Sequence, residues 1–294
     1  MNDLEFTDTH VHFYDLRDPG LHYSWLVPDA EEDPDLGNHD ALKAVRYWAD
    51  DFIAESRLAG TTKAVHVQAA IGIEDPVQET RFVQGFADRL GFPLTIVAFC
   101  DLTSDDAERV IDRHLEYPGV CGIRDLRYDD YLTDPRWERG YALLERHGLV
   151  CCDDPLVPVM GDAVELVKRY PGITYCIDHT GFPRRRDPEY FEAWKRGMRS
   201  LAALDHTVVK ISGLGMCDHR WTVDSIRPWV LECIDAWGTE RSFFGTNWPV
   251  DRLFSSYTDV IGAYRQIIAD FSHDEQVALF SGNADRIFRL TPAE

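Results

Sequence analysis

The sequence predicts an α/β fold in which eight parallel strands, each followed by a helix, close into a (β/α)8 barrel. Short apolar runs rich in Val, Ile, Phe, Thr and Cys recur eight times, as expected for strands buried on both faces of a parallel sheet. A helical pattern with recognisable start or stop residues follows each run. Eight such units in 294 residues match the size of a closed barrel.

The predicted strands are six to ten residues long and mostly near-continuously apolar, and the first one alternates. They lie at 4–13, 63–70, 94–101, 119–126, 149–154, 173–179, 207–213 and 242–248. An open doubly wound sheet is the rival arrangement. It would more naturally carry a G-x-G-x-x-G turn after the first strand, and the sequence has none there.

The predicted helices fill the gaps between these strands, at 50–60, 75–91, 104–117, 134–148, 161–172, 190–204, 224–238 and 258–270. Two of them, 75–91 and 134–148, open with Asp-Pro and close with Gly, and the helix at 104–117 opens with a capping Ser. Proline in the first turn is preorganised for a helix and loses no helical hydrogen bond there.

One domain is expected to span residues 1–294, with a long insertion at 14–49 after the first strand. This insertion is acidic and rich in Pro and Gly, but it also carries Tyr14, Tyr23 and Trp25. Long loops with apolar content usually have a function or pack against a surface. We expect a lid over the site in which Trp25 contacts the substrate. A loop packed on the barrel rim, or on a neighbouring subunit of a homo-oligomer, is the alternative.

Charge and cysteine content limit the possible partners and the compartment. The chain has 30 basic and 51 acidic side chains, and a formal charge of −21. This balance argues against nucleic acid and against anionic membrane surfaces as partners. Seven cysteines without a C-x-x-C pair indicate reduced, buried thiols. Because we find no targeting signal and no apolar run of 18 residues, we expect a cytoplasmic protein.

Polar side chains collect at the carboxyl ends of the predicted strands, where barrel enzymes place their chemistry. Asp8, His10 and His12 share the parity of the first strand, and parity places them on one face. Further along the chain the same ends carry His66, Arg124, Arg127, His179, Lys210, Asn247 and Asp251. A charged side chain in an apolar strand is costly to bury unpaired, so Arg124 and Lys210 indicate a functional site more strongly than a lone histidine does.

Five motifs carry a resemblance to a known family. They are T-D-T-H-V-H-F-Y-D at 7–15, D-H-T-G at 178–181, K-I-S-G-L at 210–214, F-G-T-N-W-P-V-D at 244–251 and S-G-N-A-D-R-I-F-R-L at 281–290. Together they resemble the amidohydrolase superfamily, amidohydrolase-2 type, and look most like its sugar-lactone and 2-pyrone-4,6-dicarboxylate lactonases. The resemblance covers essentially the whole chain.

The resemblance implies a (β/α)8 barrel with His10, His12 and His179 around the reaction centre. It also implies that these three histidines ligate one divalent metal ion, most often zinc, or that the enzyme works without a metal. Arg124, which the family uses to bind a substrate carboxylate, would act here together with Arg127, Lys210 and His66. The bidentate guanidinium suits that role.

The sequence departs from the family pattern at Asn247, where the family usually has an aspartate that acts as general base. An amide cannot take a proton near neutral pH, although its oxygen can bind a metal weakly or orient a water. Asp251 follows four residues later, and we expect it to reach back over the barrel mouth as the essential carboxylate. The alternatives are a histidine as the base and an Asp251 that only pairs with Arg252 or Lys210.

The favoured function is a hydrolase that opens a small lactone, of the sugar or carboxylated pyrone and muconolactone types, by attack of an activated water. The alternative is a metal-dependent, non-oxidative decarboxylase of an aromatic or unsaturated acid on the same barrel. A barrel recruited as a binding protein is the third interpretation. The many polar groups at the strand ends argue against it.

Overall fold

Eight parallel strands form one sheet that curves into the predicted barrel. The computed structural model describes residues 4–92, 94–128 and 130–290, so the ends of the predicted domain, at 1–3 and 291–294, lie outside the described residues. In chain order the strands are β1 (Phe6–Val11), β2 (Tyr14–Asp15), β3 (Arg46–Tyr47), β4 (Thr61–Val67), β5 (Leu94–Phe99), β6 (Val120–Arg124), β7 (Val150–Asp153), β8 (Tyr175–Ile177), β9 (Thr207–Ile211) and β10 (Ser242–Phe244). The barrel order is β1-β4-β5-β6-β7-β8-β9-β10, which confirms the predicted fold.

The barrel closes through the segment that follows β10. Trp248 forms a parallel bridge with Val11 at the end of β1. The backbone nitrogen of His12 donates to the carbonyl of Trp248 at 2.8 Å, and the nitrogen of Trp248 donates to the carbonyl of His10 at 3.2 Å. These two bonds bring the N-W-P motif beside the two histidines of β1.

The helices pack around the outside of the barrel. They are α1 (Ala49–Ser56), α2 (Val77–Leu90), α3 (Ala107–His114), α4 (Pro135–His147), α5 (Met160–Val167), α6 (Pro188–Ala202), α7 (Leu214–Cys217), α8 (Val223–Trp237), α9 (Tyr257–Ile267), α10 (His273–Val277) and α11 (Asn283–Phe288), with a π-helical turn at Ala278–Gly282. Asp134 caps α4 by accepting from the nitrogen of Arg136 at 2.8 Å. Within the described ranges no helix is long and apolar enough to cross a membrane.

Two apolar layers hold the barrel. The larger one lies between the strands and the surrounding helices. The smaller one fills the barrel interior with valines and cysteines from the strands, and with Ile287, Phe288 and Leu290 at the end of the chain. Phe288 packs edge-on against Phe243 of β10 at 5.5 Å. The segment around α11, which no predicted helix covered, therefore completes the core of the barrel.

The insertion at 14–49 lies outside the barrel and is anchored to it. Its ends pair as the antiparallel strands β2 and β3. The hydroxyl of Tyr14 donates to the carbonyl of Leu42 at 2.6 Å, and Tyr23 bridges to Ile71. The indole nitrogen of Trp25 donates to the carbonyl of Ala69, just beyond β4, at 2.8 Å. The insertion is therefore held beside the carboxyl ends of the strands.

Candidate active site

A cavity of about 360 Å³ opens at the carboxyl ends of the strands. Its polar lining includes His12, Gln68, Arg124, Asp154, His179 and Asn247. Apolar side chains complete the wall, among them Trp25 and Leu36 from the insertion. A few convergent polar groups among apolar side chains are typical of a pocket for a small molecule.

The three histidines named from the sequence lie together. The ring of His10 is 4.2 Å from the ring of His179 and 4.8 Å from the ring of His12, measured between centroids. His12 and His179 line the cavity. His10 is completely buried and lies behind them. The structure thus brings these side chains together, with two at the surface of the cavity and one beneath it.

The hydrogen bonds of His12 fix its tautomer. Its Nδ1 lies 2.9 Å from the carbonyl oxygen of Val67, which can only accept, so Nδ1 carries the proton. Its Nε2 lies 3.2 Å from Oδ1 of Asn247. Burial, together with the nearby charge of Arg124, lowers the pKa of His12 to about 3. The ring is therefore neutral, and Nε2 presents a lone pair towards Asn247.

His10 has no hydrogen-bond partner on either ring nitrogen among the described residues. Its Nδ1 lies 3.7 Å from Oδ2 of Asp178, beyond hydrogen-bond range. Burial, and then the neighbouring His179, hold the pKa of His10 well below its usual value. A neutral buried imidazole with two unsatisfied nitrogens is costly unless a ligand supplies a partner.

The turn after β8 holds His179 in an unusual backbone conformation. His179 has φ of 50° and Thr180 has φ of 60°, in a region that side-chain-bearing residues rarely adopt. The Nδ1 atom of His179 contacts the hydroxyl of Ser212 at 3.1 Å. A Cβ atom at Gly213 would lie 2.5 Å from that same Nδ1. The K-I-S-G motif therefore leaves the space in which the His179 ring sits.

A buried acid that the sequence analysis did not single out, Asp178, collects the cations of the site. Its Oδ1 lies 2.9 Å from Nζ of Lys210, and its Oδ2 lies 3.7 Å from Nε of Arg124. Burial lowers the pKa of Lys210, but Asp178, together with the nearby Cys152 and Cys176, raises it overall. Lys210 is thus a buried partner of Asp178 and is not among the residues that line the cavity. Asp178 is the first residue of the D-H-T-G motif, and this motif is the sequence feature that could have identified it.

Arg124 lines the cavity at the end of β6, between two acids. Its Nη2 lies 3.6 Å from Oδ1 of Asp154, and its Nε faces Asp178. Asp125, the next residue along the chain, and Asp153, at the end of β7, have other partners. Asp125 binds Arg127 instead, and Asp153 accepts from Tyr131 and Tyr175.

Asn247 and Asp251 form a pair at the end of the barrel. Asn247 has φ of 61°, and its Nδ2 donates to Oδ1 of Asp251 at 3.4 Å. Asp251 is only 3% exposed, and burial raises its pKa to about 8. It lies behind Asn247, facing Gly215 and Tyr264, and does not line the cavity. The expectation that Asp251 reaches over the barrel mouth is therefore not met, because the 3₁₀ turn at Val250–Leu253 directs it inwards.

Two further residues expected to bind the substrate make other contacts. His66 accepts from the backbone nitrogen of Phe13 at 3.2 Å and lies 3.4 Å from Glu79. Arg127 pairs with Asp101 and Asp125, at 2.6 and 2.9 Å. Neither His66 nor Arg127 is among the residues that line the cavity. Both side chains hold neighbouring elements in place.

Asp8 also departs from the parity argument. Its carboxylate accepts from the backbone and hydroxyl of Thr246, and from the hydroxyl of Tyr257 at 3.0 Å. Tyr257 belongs to α9 in the outer layer, so Asp8 faces away from the cavity. The register between β1 and β4 shifts between Asp8 and Val11, and this irregularity breaks the simple alternation.

The residues present fit a divalent metal at the histidine cluster by their chemistry. His10 offers an unsatisfied nitrogen, and the lone pairs of His12 Nε2 and Asn247 Oδ1 face each other. Imidazole nitrogen and amide oxygen are ordinary metal ligands, and the bond from His12 to Val67 is the outer contact that orients such a ligand. The nitrogens of the three histidines do not all converge within 4.8 Å in the described part of the chain, so ligation by all three requires the rings to turn.

A second group of possible ligands is occupied by a side chain. Atoms of Cys152, Cys176 and Asp178 lie within 4.8 Å of one another inside the barrel. The ammonium group of Lys210 lies 2.9 Å from Asp178 and 3.9 Å from the sulfur of Cys152. A fixed positive charge at this place opposes a metal cation. These three side chains therefore surround the ammonium group of Lys210 and do not form a metal site.

Comparison with known proteins supports the family indicated by the motifs. The family model described as Amidohydrolase (Amidohydro_2) matches residues 7–290. An L-fucono-1,5-lactonase from Burkholderia ambifaria is 30% identical over 301 residues, which cover 96% of this chain and 95% of that protein. The match therefore runs through the whole barrel and its insertion.

Two solved structures show the same fold. An amidohydrolase from Burkholderia multivorans with bound zinc has a TM-score of 0.83 and 24% identity, and the match covers 98% of this chain and 100% of that one. A 2,6-dihydroxybenzoate decarboxylase from Rhizobium has a TM-score of 0.67 and 12% identity, with coverage of 98% and 99%. At these identities the likeness concerns the fold alone.

Proposed function

The chain belongs to the amidohydrolase family and is a hydrolase, and we propose that it opens a neutral sugar lactone to the corresponding hydroxy acid. The related fucono-lactonase supports a lactone substrate. The observation that carries the choice of a neutral substrate is the charge pairing in the cavity. Each arginine that lines the cavity already has an acidic partner.

Arg124 lies between Asp154 and Asp178, and Arg184 pairs with Asp35 at 2.8 Å. A carboxylated pyrone would need a cation without such a partner, because an anion placed beside a buried acid is repelled. A neutral hydroxyl group can accept from Arg124 without being repelled by the acids beside it. A ring with several hydroxyl groups therefore suits this cavity better than a dicarboxylate.

Hydrolysis adds water to the lactone carbonyl carbon, breaks the bond to the ring oxygen and transfers a proton to that oxygen. The neutral rings of His12 and His179 line the cavity where the carbonyl group would lie. Their low pKa values keep lone pairs available at neutral pH. Such a lone pair can accept a hydrogen bond from water or bind a cation, while Trp25 and Leu36 shield the lactone ring from solvent.

A divalent metal is part of this proposal. His10, His12, His179 and Asn247 would hold it, by the donor chemistry described above. When bound, it would polarise the lactone carbonyl as a Lewis acid. Zinc is the ion of the related Burkholderia multivorans structure. Asn247 would be a neutral ligand, which leaves the ion more electrophilic than a carboxylate would.

The proposal is tested by acid release from a panel of lactones. Purified protein, with and without added Zn²⁺, is mixed with neutral aldonolactones, with carboxylated lactones and with hydroxylated benzoic acids, and proton release is followed with a pH indicator. We expect turnover of at least one neutral aldonolactone, and no evolution of CO₂ from the benzoic acids. Turnover of carboxylated lactones alone would contradict the neutral substrate class. CO₂ release would favour the decarboxylase.

A further inference from the structure

The position at which the family pattern places a general base holds an amide in this chain, and Asp251 lies behind it, outside the cavity. The proposed hydrolysis still requires a group that takes the proton of the attacking water. We propose that Asp154 is the general base of this enzyme, an assignment that rests on the proposed lactone hydrolysis.

Asp154 lies at the correct place for such a role. It follows β7 directly, is 2% exposed and lines the same cavity as His12, His179 and Asn247. Arg124 connects it to the histidine cluster, because one guanidinium reaches Asp154 through Nη2 and Asp178 through Nε. Asp178 in turn faces Nδ1 of His10.

The contacts of Asp154 leave acceptor capacity towards the cavity. Its Oδ2 accepts from the hydroxyl of Tyr128 at 3.2 Å, and its Oδ1 lies 3.6 Å from Arg124, too far for a hydrogen bond. A carboxylate offers about four acceptor positions. The adjacent Asp153 is different, because it accepts from the hydroxyls of Tyr131 and Tyr175 and from the backbone nitrogen of Asp154.

The other carboxylates that line the cavity, Asp33 and Asp35, belong to the insertion and already have partners. Asp33 accepts from the backbone nitrogens of Asp35 and Leu36, both at 2.8 Å, and so shapes that loop. Asp35 pairs with Arg184. Of the described carboxylates that line the cavity, Asp154 alone sits on the barrel itself, at a strand end.

The surroundings of Asp154 also suit proton transfer near neutral pH. Burial raises its pKa to about 6, Arg124 opposes that rise, and Asp178 adds to it. Tyr128 and Arg184 lower the pKa of Asp154, and Asp153 precedes Asp154 in the chain. A base is most effective when its pKa lies not far from the working pH.

The proton balance is complete without a further reagent. The carboxylate of Asp154 takes one proton from water as the water oxygen bonds to the lactone carbonyl carbon. The tetrahedral intermediate then collapses, the bond from that carbon to the ring oxygen breaks, and the leaving oxygen receives the proton from Asp154. The products are one hydroxy acid and a regenerated carboxylate.

The test compares Asp154→Asn with the wild type on the neutral lactone identified in the panel. We expect kcat to fall about 100-fold or more, on the scale of general acid–base catalysis, with KM within about threefold of the wild type. The fall of kcat/KM on the acidic side, expected near pH 6 in the wild type, should disappear. Asp162→Asn, an exposed substitution on α5, is the matched control and should keep the wild-type profile.

Tyr128→Phe provides a second, milder variant. It removes the hydrogen bond that lowers the pKa of Asp154, so the acidic limb of kcat/KM should move to higher pH. If Asp154→Asn fails to fold, as judged by circular dichroism, the direction of this shift decides the assignment. A limb that stays in place would then overturn it.

The outcomes separate this assignment from the proposed function. If the wild type opens no lactone, the proposed function fails and the assignment with it. If the wild type is active and Asp154→Asn keeps its kcat but raises KM, Asp154 binds substrate hydroxyls and is not the base. An acidic limb that persists in Asp154→Asn overturns the assignment in the same way.

Discussion

Nε2 of His12 and Oδ1 of Asn247 face each other across 3.2 Å, and both atoms carry lone pairs. The bond from Nδ1 of His12 to the carbonyl of Val67 leaves no proton for Nε2. A metal cation between the two atoms would satisfy both. The alternative is an amide turned over, whose nitrogen donates to His12 and whose oxygen accepts from a protonated Asp251.

Metal binding distinguishes these two arrangements. We expect purified protein dialysed against Zn²⁺ to retain about one ion per chain by mass spectrometry of the metal, since three imidazoles and an amide oxygen suit zinc. His12→Ala combined with His179→Ala should abolish retention. His273→Ala, an exposed histidine on α10, serves as the control. Retention by the double variant would place the ion elsewhere, and no retention by the wild type would favour the turned amide.

Gly213→Ala should damage the site through His179. The new methyl group would lie 2.5 Å from Nδ1 of His179, and Gly213 has φ of 64°, which is unfavourable for alanine. We expect kcat to fall at least about tenfold and the protein to lose on the order of 1–3 kcal/mol of unfolding free energy. Gly262→Ala in α9, where nothing lies within 4 Å of the new atom, should leave kcat unchanged. Equal activity of the two variants would contradict the role given to this glycine.

Arg124 should matter both for the fold and for the substrate. Arg124→Ala removes the arginine that pairs with Asp154 and one of the two cationic partners of Asp178. We therefore expect urea denaturation to show a loss on the order of 3 kcal/mol in the free energy of unfolding. Arg124→Lys keeps a charge but not the planar fork, and should raise KM about tenfold with a much smaller loss of stability. A lysine variant with wild-type KM would make Arg124 a purely structural residue.

Asp251 should make stability depend on pH. Burial raises the pKa of Asp251 from 3.8 to about 8. The contribution of this carboxyl to the free energy of unfolding is therefore fully present below about pH 4 and is lost as the pH rises through 8. In the presence of a chelator, Asp251→Asn should therefore gain stability relative to the wild type between pH 5 and pH 8.5. Urea denaturation at both pH values measures the change, with Asp162→Asn as the control. A difference that is the same at both pH values would show that Asp251 is ionised throughout.

Much of the fold could be predicted, because buried parallel strands and capped helices leave strong local patterns. The strands at 94–101 and 207–213 contain β5 and β9, and the motif histidines did meet. The strand ends were less certain, since β8 stops at Ile177 and His179 sits in a turn beyond it. Asp178 and His179 follow the last paired residue directly, and residue type alone does not show whether they belong to the strand or to the turn.

The roles within the site were harder to predict, because they depend on contacts between distant residues. His66 and Arg127 have the right residue types at the right strand ends, yet partners such as Glu79 and Asp101 hold them outside the cavity. Asp154 ends the predicted strand at 149–154, and only its contact with Arg124, a residue 30 positions earlier, distinguishes it from Asp153. Closure of the insertion over the substrate, a single domain, a homo-oligomer and a cytoplasmic location stay predictions.

The central claim is that water attacks the carbonyl carbon of a neutral lactone in this cavity. Enzymatic opening of an aldonolactone in H₂¹⁸O, analysed by mass spectrometry at early times, tests it directly. The protein lacking both His12 and His179 corrects for spontaneous opening. The account predicts one ¹⁸O atom per turnover, located in the product carboxylate. Label on the carbon that held the ring oxygen, or no opening above the rate of the double variant, would contradict it.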